Sequence, residues 1–597
     1  MGDYAPIADY ALIGDCHSVA LVSREGSIDW CCTPRIDQGS CFGRLLDSEQ
    51  GGYCSLVPED GFSATRREYL ENTLVLATTF ECGSGEARVL DCFTMRRGGA
   101  ANPHRQLLRV VEGVRGHVDL RLTIAPRFDY GELAPWLRRA GIQTWTAVGG
   151  DDGLLIWSDA ELEQPERHEL AARLSVKEGE RARLSIVSAR PEELDRREEP
   201  IEPEEVDRRL EYTIGWWRRW ASGARSLDGP NSAAAVRSAI VLKALTHAPT
   251  GAIAAAATTS LPEASGGERN WDYRYSWIRD SVLSARSLTE LGFEAEADGF
   301  RRFIQRSSAG DAAKLQILYG VGGERRLTEQ ELNWADGWRG SRPVRIGNAS
   351  TGQLQLDAYG ELLNLAWRWH ARGHSPDDDL WRFIVDLVDV TCERWSEPDS
   401  GIWEWRDKPQ HFVHSKALCW SAIERGIRLA DDSMRRAPTR RWRSVQNEIR
   451  EAIETRGYDS KRGVFVQAFD TKQMDGALLI LPQTGFVEYG DERMVRTADA
   501  IREDLDANGL LYRYRRSDGL KGDEGAFLAC SFWLAECLAY QGRREEAEEV
   551  FDRAAETAND VGLFGEEYDP KADEILGNYP QGLTHLSHLA AAVALVS

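Results

Sequence analysis

The first 200 residues contain short apolar runs separated by turns, a pattern typical of β-strands. Residues 18–22 and 27–31 flank the turn Arg24-Glu25-Gly26, which predicts a hairpin. Similar runs follow at 73–80, 87–93, 107–114, 118–124, 154–157, 171–176 and 182–187. Because many short strands with glycine-containing turns favour a sandwich of two sheets, we predict an antiparallel β-sandwich domain over residues 1–203.

From about residue 204 the apolar residues recur with the period of a helix. Residues 204–221 are charged and rich in Trp at helical spacing, which predicts a helical linker over 204–228. Beyond it, roughly eleven or twelve segments repeat apolar residues at i, i+3, i+4 and i+7. The clearest are 233–246, 282–291, 355–372, 380–395, 416–429, 442–455, 524–540, 545–558 and 584–596. We predict a second, all-helical domain over residues 229–597.

A helical series of this length is compatible with a bundle, a solenoid or an (α/α)6 barrel. The connections between helices distinguish these folds better than the length does. Aromatic and acidic clusters fall in the longer connections between alternate helices. Such clusters would meet if one end of a barrel formed a binding site, so the pattern favours the (α/α)6 barrel.

Charge and composition exclude several classes of function. The net charge of −23 and the pI near 5.1 disfavour a nucleic-acid surface, which needs clustered Lys and Arg. The chain lacks a run of 18 apolar residues and a secretory leader pattern, so we expect no membrane span and a cytoplasmic location. The eleven scattered Cys lack metal-ligand spacing and indicate free thiols, so we expect no bound metal and no cofactor. A homo-oligomer is compatible with the sequence.

One short segment concentrates aromatic and charged side chains just before a helix. It reads Arg269-Asn270-Trp271-Asp272-Tyr273-Arg274-Tyr275-Ser276-Trp277-Ile278-Arg279-Asp280. Flat aromatic faces beside Arg and Asp suit a sugar, which is apolar on its ring faces and hydroxylated at its edges. A buried cluster of ion pairs beneath the helix start is the structural alternative.

The segment resembles the Trp-x-Tyr-x-Tyr-x-Trp-x-Arg-Asp signature of glycoside hydrolase family 15, which contains glucoamylases and bacterial trehalases. Residues 7–15 and 26–30 look like the start of the bacterial trehalase-like branch of that family. The resemblance extends over nearly the whole chain. It implies a β-sandwich followed by an (α/α)6 barrel, in agreement with the strand pattern and the helix connections, and an α-glucoside as the binding partner.

Hydrolysis of an α-glucosidic bond with inversion requires two carboxyl groups about 6.5–9.5 Å apart, one acting as acid and one as base. Gly401-Ile402-Trp403-Glu404-Trp405 resembles the Leu-Trp-Glu motif of the family, which implies that Glu404 is the general acid. Gly565-Glu566-Glu567-Tyr568-Asp569 resembles the Ser-Glu-Gln-Tyr-Asp motif and implies that Glu566 is the general base. Glu567 stands at the Gln position, so the choice between the two adjacent acids stays open, with Glu566 favoured.

The resemblance also implies a set of sugar-binding residues. Arg279 and Asp280 match the pair that holds the glucosyl unit at the cleaved end, and Arg513 matches a further sugar-binding Arg. Aromatic walls are expected from Tyr273, Trp277 and Trp403. His585 stands where fungal glucoamylases have a Trp, a departure that disfavours glucoamylase-like specificity.

Three hypotheses for function follow. The first is an inverting, exo-acting α-glucoside hydrolase that releases glucose, with α,α-trehalose as the leading substrate and malto- or isomalto-oligosaccharides as the alternative. The second is a disaccharide phosphorylase, which needs a single catalytic acid because phosphate attacks; the presence of Glu566 disfavours it. The third is a non-catalytic sugar-binding protein, which would tolerate loss of either Glu404 or Glu566, although both are present.

Overall fold

A computed structural model describes residues 4–96, 102–194, 202–308, 311–515 and 524–597. Antiparallel strands occupy the N-terminal third and helices the remainder, which confirms the predicted fold class. The fifteen N-terminal strands are β1 Tyr10–Gly14, β2 Val19–Ser23, β3 Ser27–Cys32, β4 Ser40–Phe42, β5 Tyr53–Pro58, β6 Ala64–Tyr69, β7 Leu76–Cys82, β8 Gly85–Phe93, β9 Gln106–Ala125, β10 Trp136–Arg139, β11 Thr144–Gly149, β12 Asp152–Ser158, β13 Glu163–Glu166, β14 Glu169–Lys177 and β15 Arg181–Ala189.

The long strand β9 belongs to both sheets of this region. Its first half pairs with β8 and β15, and its second half pairs with β5 and β14. Arg109 shows that the two sheets face each other, because it extends from β9 and donates to the backbone oxygens of Cys54 and Gly26 on the other sheet, each at 2.8 Å. Asp91 neutralises the fully buried guanidinium at 2.7 Å. The predicted hairpin is present as β2 and β3.

Thirteen α-helices lie in the described part of the chain. They are α1 Pro191–Leu194, α2 Pro203–Ala221, α3 Ser232–Ala244, α4 Ile278–Glu290, α5 Glu294–Ser307, α6 Asp357–Ala371, α7 Asp378–Arg394, α8 Val413–Asp432, α9 Thr439–Arg456, α10 Glu492–Asp504, α11 Leu528–Tyr540, α12 Arg544–Ala555 and α13 Gly582–Ala594. Helix α2 covers most of the predicted linker and packs against the sheet through Val206 and Leu210. The domain limits at 203 and 228 themselves stay predictions.

Six segments form a closed inner ring in the helical region. In order they are α4, α6, α8, the 3₁₀ segment Gly476–Thr484, α11 and α13, which returns to α4. Helices α3, α5, α7, α9, α10 and α12 pack outside this ring. The inner helices are apolar around most of their surface, as in α11, where eleven consecutive residues are buried. This arrangement is the (α/α)6 barrel.

Two local features of the helical region have clear physical causes, and the first of them differs from the predicted helix bounds. Helix α11 begins at Leu528 rather than 524, because Ala526–Phe527 pairs as a strand with Glu567–Asp569. The inner segment between α8 and α11 is a 3₁₀ helix, because Pro482 lacks the N–H needed for α-helical bonding.

Short strands and turns at the amino ends of the inner helices carry the loops of the site. These strands are β16 Ser276–Trp277, β17 Leu318–Tyr319, β18 Gln330–Glu331, β19 Arg345–Ile346, β20 Tyr458–Asp459, β21 Val464–Phe465, β22 Asp506–Ala507, β23 Leu510–Leu511, β24 Ala526–Phe527, β25 Glu567–Asp569 and β26 Glu574–Leu576. Among the described residues, no helix is both long and apolar enough to span a bilayer.

Buried polar contacts join the sandwich to the barrel. Trp30 donates its indole N–H to the backbone oxygen of Ala257 at 2.8 Å. Arg274 is fully buried and pairs with Asp272 at 2.7 Å, while the same guanidinium donates to the Tyr130 hydroxyl, also at 2.7 Å. Because Tyr130 belongs to the N-terminal domain, the sandwich directly supports the loop that carries Tyr273.

Candidate active site

One cavity at the amino ends of the inner helices contains all eight residues predicted from the sequence. Its volume is about 640 Å³, counting the space open to solvent. The predicted residues on its wall are Tyr273, Trp277, Arg279, Asp280, Trp403, Glu404, Arg513 and Glu566. They come from four loops that are far apart in sequence, so the tertiary fold brings them together.

The first loop ends in α4, which presents a charged pair to the cavity. Trp277 precedes the helix in extended conformation, and Arg279 and Asp280 occupy its first turn. Their side chains form an ion pair with Nη2 and Oδ2 2.7 Å apart. Arg279 also donates to the backbone oxygen of Ile402, which fixes the guanidinium against the Glu404 loop. A bidentate donor beside a carboxylate can bind vicinal hydroxyl groups.

Glu404 lies in a tight turn before α8. Its backbone φ of 58° is in the left-handed region, which non-glycine residues adopt at a cost of order 1–3 kcal/mol and often at functional sites. Trp277 donates its indole N–H to Glu404 Oε1 at 2.5 Å, so one carboxyl oxygen is held in place. Trp403 is anchored separately, because its indole N–H donates to Asp475 at 2.8 Å.

The turn that carries Glu404 is fixed by a buried carboxylate. Asp399 Oδ2 accepts hydrogen bonds from the backbone N–H of Leu356 at 3.1 Å and of Gly401 at 3.2 Å. The same oxygen accepts from the Ser415 hydroxyl at 2.8 Å. Asp399 therefore joins the start of α6, the Glu404 turn and the start of α8.

Glu566 and Glu567 occupy different environments although they are adjacent. Glu566 lines the cavity, while Glu567 lies behind the wall and accepts from the Gly525 N–H at 2.7 Å. Gly577 covers Glu566 so closely that a Cβ at this position would lie 2.6 Å from the Glu566 Cβ. Gly577 also has a φ of +75°, so both its conformation and its contact favour glycine.

Acidic residues surround Glu566 and disfavour its ionised form. Burial raises the pKa of Glu566 to about 8, and the neighbouring Glu263 adds to this rise. The Arg513 guanidinium and a hydrogen bond with Tyr273 act in the opposite direction. Burial, followed by Glu263 and Glu524, raises the pKa of Glu567 well above its usual range.

Two guanidinium groups partly neutralise this acidic cluster. Arg513 bonds Glu524 at 2.7 Å and Glu263 at 3.0 Å, and Arg269 pairs with Glu524. Oxygens of Glu263, Glu524 and Glu567 lie within 4.8 Å of one another, so these are the described residues that could hold a cation. Two of the three carboxylates already have guanidinium partners, and the absence of a bound metal stays a prediction.

Sequence reasoning missed six polar or aromatic residues of the wall, namely Glu263, Arg269, Trp271, Arg406, Phe527 and Gln581. Arg269 and Trp271 belong to the segment that its composition singled out, whereas Arg406 follows Glu404 by two positions and Glu263 has no motif around it. His585 lies outside the cavity wall. It accepts from the Phe564 N–H at 3.2 Å and contacts the Ser238 hydroxyl at 2.9 Å, so its role is in the core.

Comparison with known protein families agrees with this geometry. The model of glycosyl hydrolases family 15 matches residues 229–593, and the model of the trehalase-like N-terminal domain matches residues 1–158. The chain therefore belongs to glycosyl hydrolase family 15, and it is a glycoside hydrolase.

Individual relatives extend the similarity over both domains. The chain is 37% identical to a trehalase of Mycolicibacterium smegmatis, over 99% of this chain and 92% of that protein. It is 34% identical to a trehalase of Thermoplasma volcanium, over 99% and 94% of the two chains. A bacterial glucoamylase solved with acarbose has the same fold, with a TM-score of 0.72 at 12% identity, covering 99% of this chain and 95% of that one.

Proposed function

We propose that this protein is an α,α-trehalase that hydrolyses trehalose to glucose with inversion. The observation that carries the proposal is the joint position of Glu404, Glu566 and the Arg279–Asp280 pair on one cavity wall. Such a cavity offers an acid, a base and a clamp for a terminal glucosyl unit, which are the groups that single displacement needs.

In this mechanism Glu404 protonates the glycosidic oxygen and Glu566 activates the attacking water. The 2.5 Å hydrogen bond from Trp277 orients the Glu404 carboxyl group. Arg279 and Asp280 bind hydroxyl groups of the glucosyl unit, and Trp403 and Tyr273 provide apolar surface for its ring. Arg513 lies next to Glu566 and favours its ionised, water-activating form, since it lowers the pKa of that carboxyl.

The choice of Glu566 over Glu567 as the base rests on access. Glu566 lines the cavity, whereas Glu567 is fully buried behind it with one oxygen bonded to a backbone N–H. A general base must reach the water that it deprotonates, either directly or through one more water. The position of Glu566 supports that role, and the position of Glu567 supports a structural one.

The preference for trehalose rests on whole-length relatives. Proteins named trehalase are 34–37% identical to this chain over nearly its full length, including the N-terminal domain. Parallel assays of glucose release from trehalose, maltose, isomaltose and soluble starch test the choice of substrate. Glucose 1-phosphate formed in the presence of phosphate would instead indicate a phosphorylase.

The stereochemistry of the first products tests the mechanism. Inversion at one of the two α-anomeric carbons of trehalose should release one β-glucose and one α-glucose per cleavage. Proton NMR recorded before mutarotation measures the ratio. Only α-glucose at early times would show retention and exclude the proposed single displacement.

Conservative variants test the assigned roles. Glu404→Gln and Glu566→Gln should each lower kcat by about 10²–10⁴-fold, because each removes general acid–base assistance, while the fold is kept. Glu567→Gln is the matched control at the adjacent position and should keep most of the activity. The base assignment is wrong if Glu567→Gln loses activity and Glu566→Gln does not.

The cellular location and the oligomeric state also stay predictions. All eleven cysteines are free thiols, which supports the predicted cytoplasmic location, since cytosolic proteins are kept reduced. Fractionation of the native host would test the location. Sedimentation of the purified protein would test whether it forms a homo-oligomer.

A further inference from the structure

One side of the cavity has no assigned role in holding the terminal glucosyl unit. It is formed by Trp271, the first residue of the aromatic signature, and by Arg406, which none of the family motifs quoted above covers. The side chain of Arg406 is 28% exposed, against 3–14% for the paired side chains of Glu263, Arg269, Arg279, Asp280 and Arg513. Arg406 therefore marks the mouth of the cavity, while the Arg279–Asp280 pair lies deeper.

Arg406 lies over Trp271 with its guanidinium largely uncommitted. Its Cζ atom is 3.6 Å from the centroid of the Trp271 ring, a close cation–π contact. The nearest acidic partner is Glu329, with the closest atoms 3.9 Å apart, beyond hydrogen-bond range. In the described parts of the chain, Arg406 makes no hydrogen bond, so its N–H groups are available to a ligand.

A second arginine, Arg345, contacts the same Trp271 ring and has a structural role. Arg345 also lies over Trp271, with its Cζ 4.4 Å from the ring centroid. Its guanidinium donates to the backbone oxygens of Glu268 at 3.0 Å and of Asn270 at 3.2 Å. Arg345 thus fixes the Trp271 ring, whereas Arg406 has no such anchor and faces the cavity.

The position of Arg406 also indicates which part of the substrate it meets. Glu404, the proposed acid, must lie beside the leaving oxygen, and Arg406 follows it by two residues in the same loop. A leaving group bonded to that oxygen therefore extends toward Arg406 and the mouth. If the enzyme hydrolyses a diglucoside, as proposed above, that leaving group is a second glucose.

We infer that Trp271 and Arg406 form the binding subsite for the second sugar of the substrate. Arg406 donates hydrogen bonds to the hydroxyl groups of the leaving glucose, and Trp271 holds the guanidinium flat for this purpose. The inference rests on the proposed function, because it requires a sugar as the leaving group. Arg406 then sets the preference for a diglucoside over a glucoside with a small leaving group.

Kinetics on two substrates distinguish a role of Arg406 at the second sugar from a role at the glucosyl unit. Trehalose fills both subsites, whereas α-glucosyl fluoride fills only the glucosyl subsite, because its leaving group is a single fluoride ion. Arg406→Gln should lower kcat/KM for trehalose by about 10- to 100-fold, since hydrogen bonds from a charged donor are lost. The same variant should change kcat/KM for α-glucosyl fluoride by less than about threefold.

Two further variants serve as controls. Lys408→Gln removes one positive charge from the same loop at an exposed position and should leave both substrates unaffected. Arg406→Lys keeps the charge but lacks the planar, forked donor group. Its kcat/KM for trehalose should therefore fall nearly as far as that of Arg406→Gln. Melting curves confirm that each variant is folded.

Equal losses on trehalose and α-glucosyl fluoride would overturn the inference, because they would place the effect of Arg406 at the glucosyl unit or at Glu404. Unchanged kinetics on both substrates would overturn it as well. If the wild-type enzyme hydrolyses maltose or isomaltose but not trehalose, the proposed function fails separately. The effect of Arg406→Gln on kcat/KM for that disaccharide, compared with its effect for α-glucosyl fluoride, then tests the subsite in the same way.

Discussion

At the scale of single residues, the cluster around Glu566 contains more carboxyl groups than cations. Glu263, Glu524, Glu566 and Glu567 lie together, and two arginines, Arg269 and Arg513, balance them only in part. Burial, followed by repulsion from the neighbouring Glu263, raises the pKa of Glu566 to about 8. Since a general base works in its ionised form, kcat/KM should fall as the pH drops below about 8.

Glu263→Gln should shift the acidic limb of the pH profile, where kcat/KM falls, to lower pH. Removing a negative neighbour makes ionisation of Glu566 less costly, so its pKa falls and the base is ionised at lower pH. The pH profile of kcat/KM for trehalose measures the shift. Glu545→Gln, at an exposed site on α12, is the matched control and should leave the limb unmoved. A shift to higher pH would contradict the assigned electrostatics.

At the scale of secondary-structure elements, the Glu404 turn depends on its attachment to two inner helices. Asp399 makes that attachment through three hydrogen bonds to residues near the start of α6, in the turn and near the start of α8. The sequence shows a turn-rich segment here but not these contacts, because the bonded groups are as many as 43 residues apart.

Asp399→Ala should lower both stability and kcat. Loss of a buried acceptor leaves two backbone N–H groups unsatisfied, at a cost of about 1–3 kcal/mol each, and frees the turn that positions Glu404. Denaturation curves and steady-state kinetics measure the two effects. Asp377→Ala removes a different Asp, the N-cap of the outer helix α7, and should cost about 1 kcal/mol without loss of kcat. Equal kinetics in the two variants would show that the Asp399 contacts do not position Glu404.

At the scale of the whole molecule, the sandwich and the barrel share buried polar contacts. Asp272 and Arg274 are each 0% exposed, and Arg274 extends into the N-terminal domain to bond Tyr130 and the backbone of Gln38. The two domains should therefore unfold together in one transition, because separating them would expose the partners of a buried charge.

Asp272→Asn should destabilise the protein by about 3–5 kcal/mol, since it leaves the buried Arg274 guanidinium without a counter-charge. Urea unfolding followed by fluorescence and by circular dichroism measures the loss and shows whether the transitions coincide. Asp298→Asn breaks partly exposed pairs within α5 and should cost less than about 1 kcal/mol. Similar effects of the two substitutions, or two separate transitions in the wild type, would contradict the predicted coupling.

The sequence by itself determined the two domain types and the main chemistry. Apolar periods of two and of 3.6 residues distinguish strands from helices because they reflect which face each element buries. The segment 269–280 and the motifs around Glu404, Arg513 and Glu566 identified eight residues that share one cavity. Local pattern was sufficient there, because each motif lies within one continuous loop.

Only the tertiary structure decided how those loops meet. It placed Glu566 on the cavity wall and Glu567 behind it, a distinction that depends on strand pairing between Phe527 and Glu567. It also brought Glu263 and Arg406 to the cavity and placed His585 in the core, away from its wall. These outcomes depend on contacts between residues far apart in sequence, and pairing, burial and charge balance across such distances leave no periodic pattern in the chain.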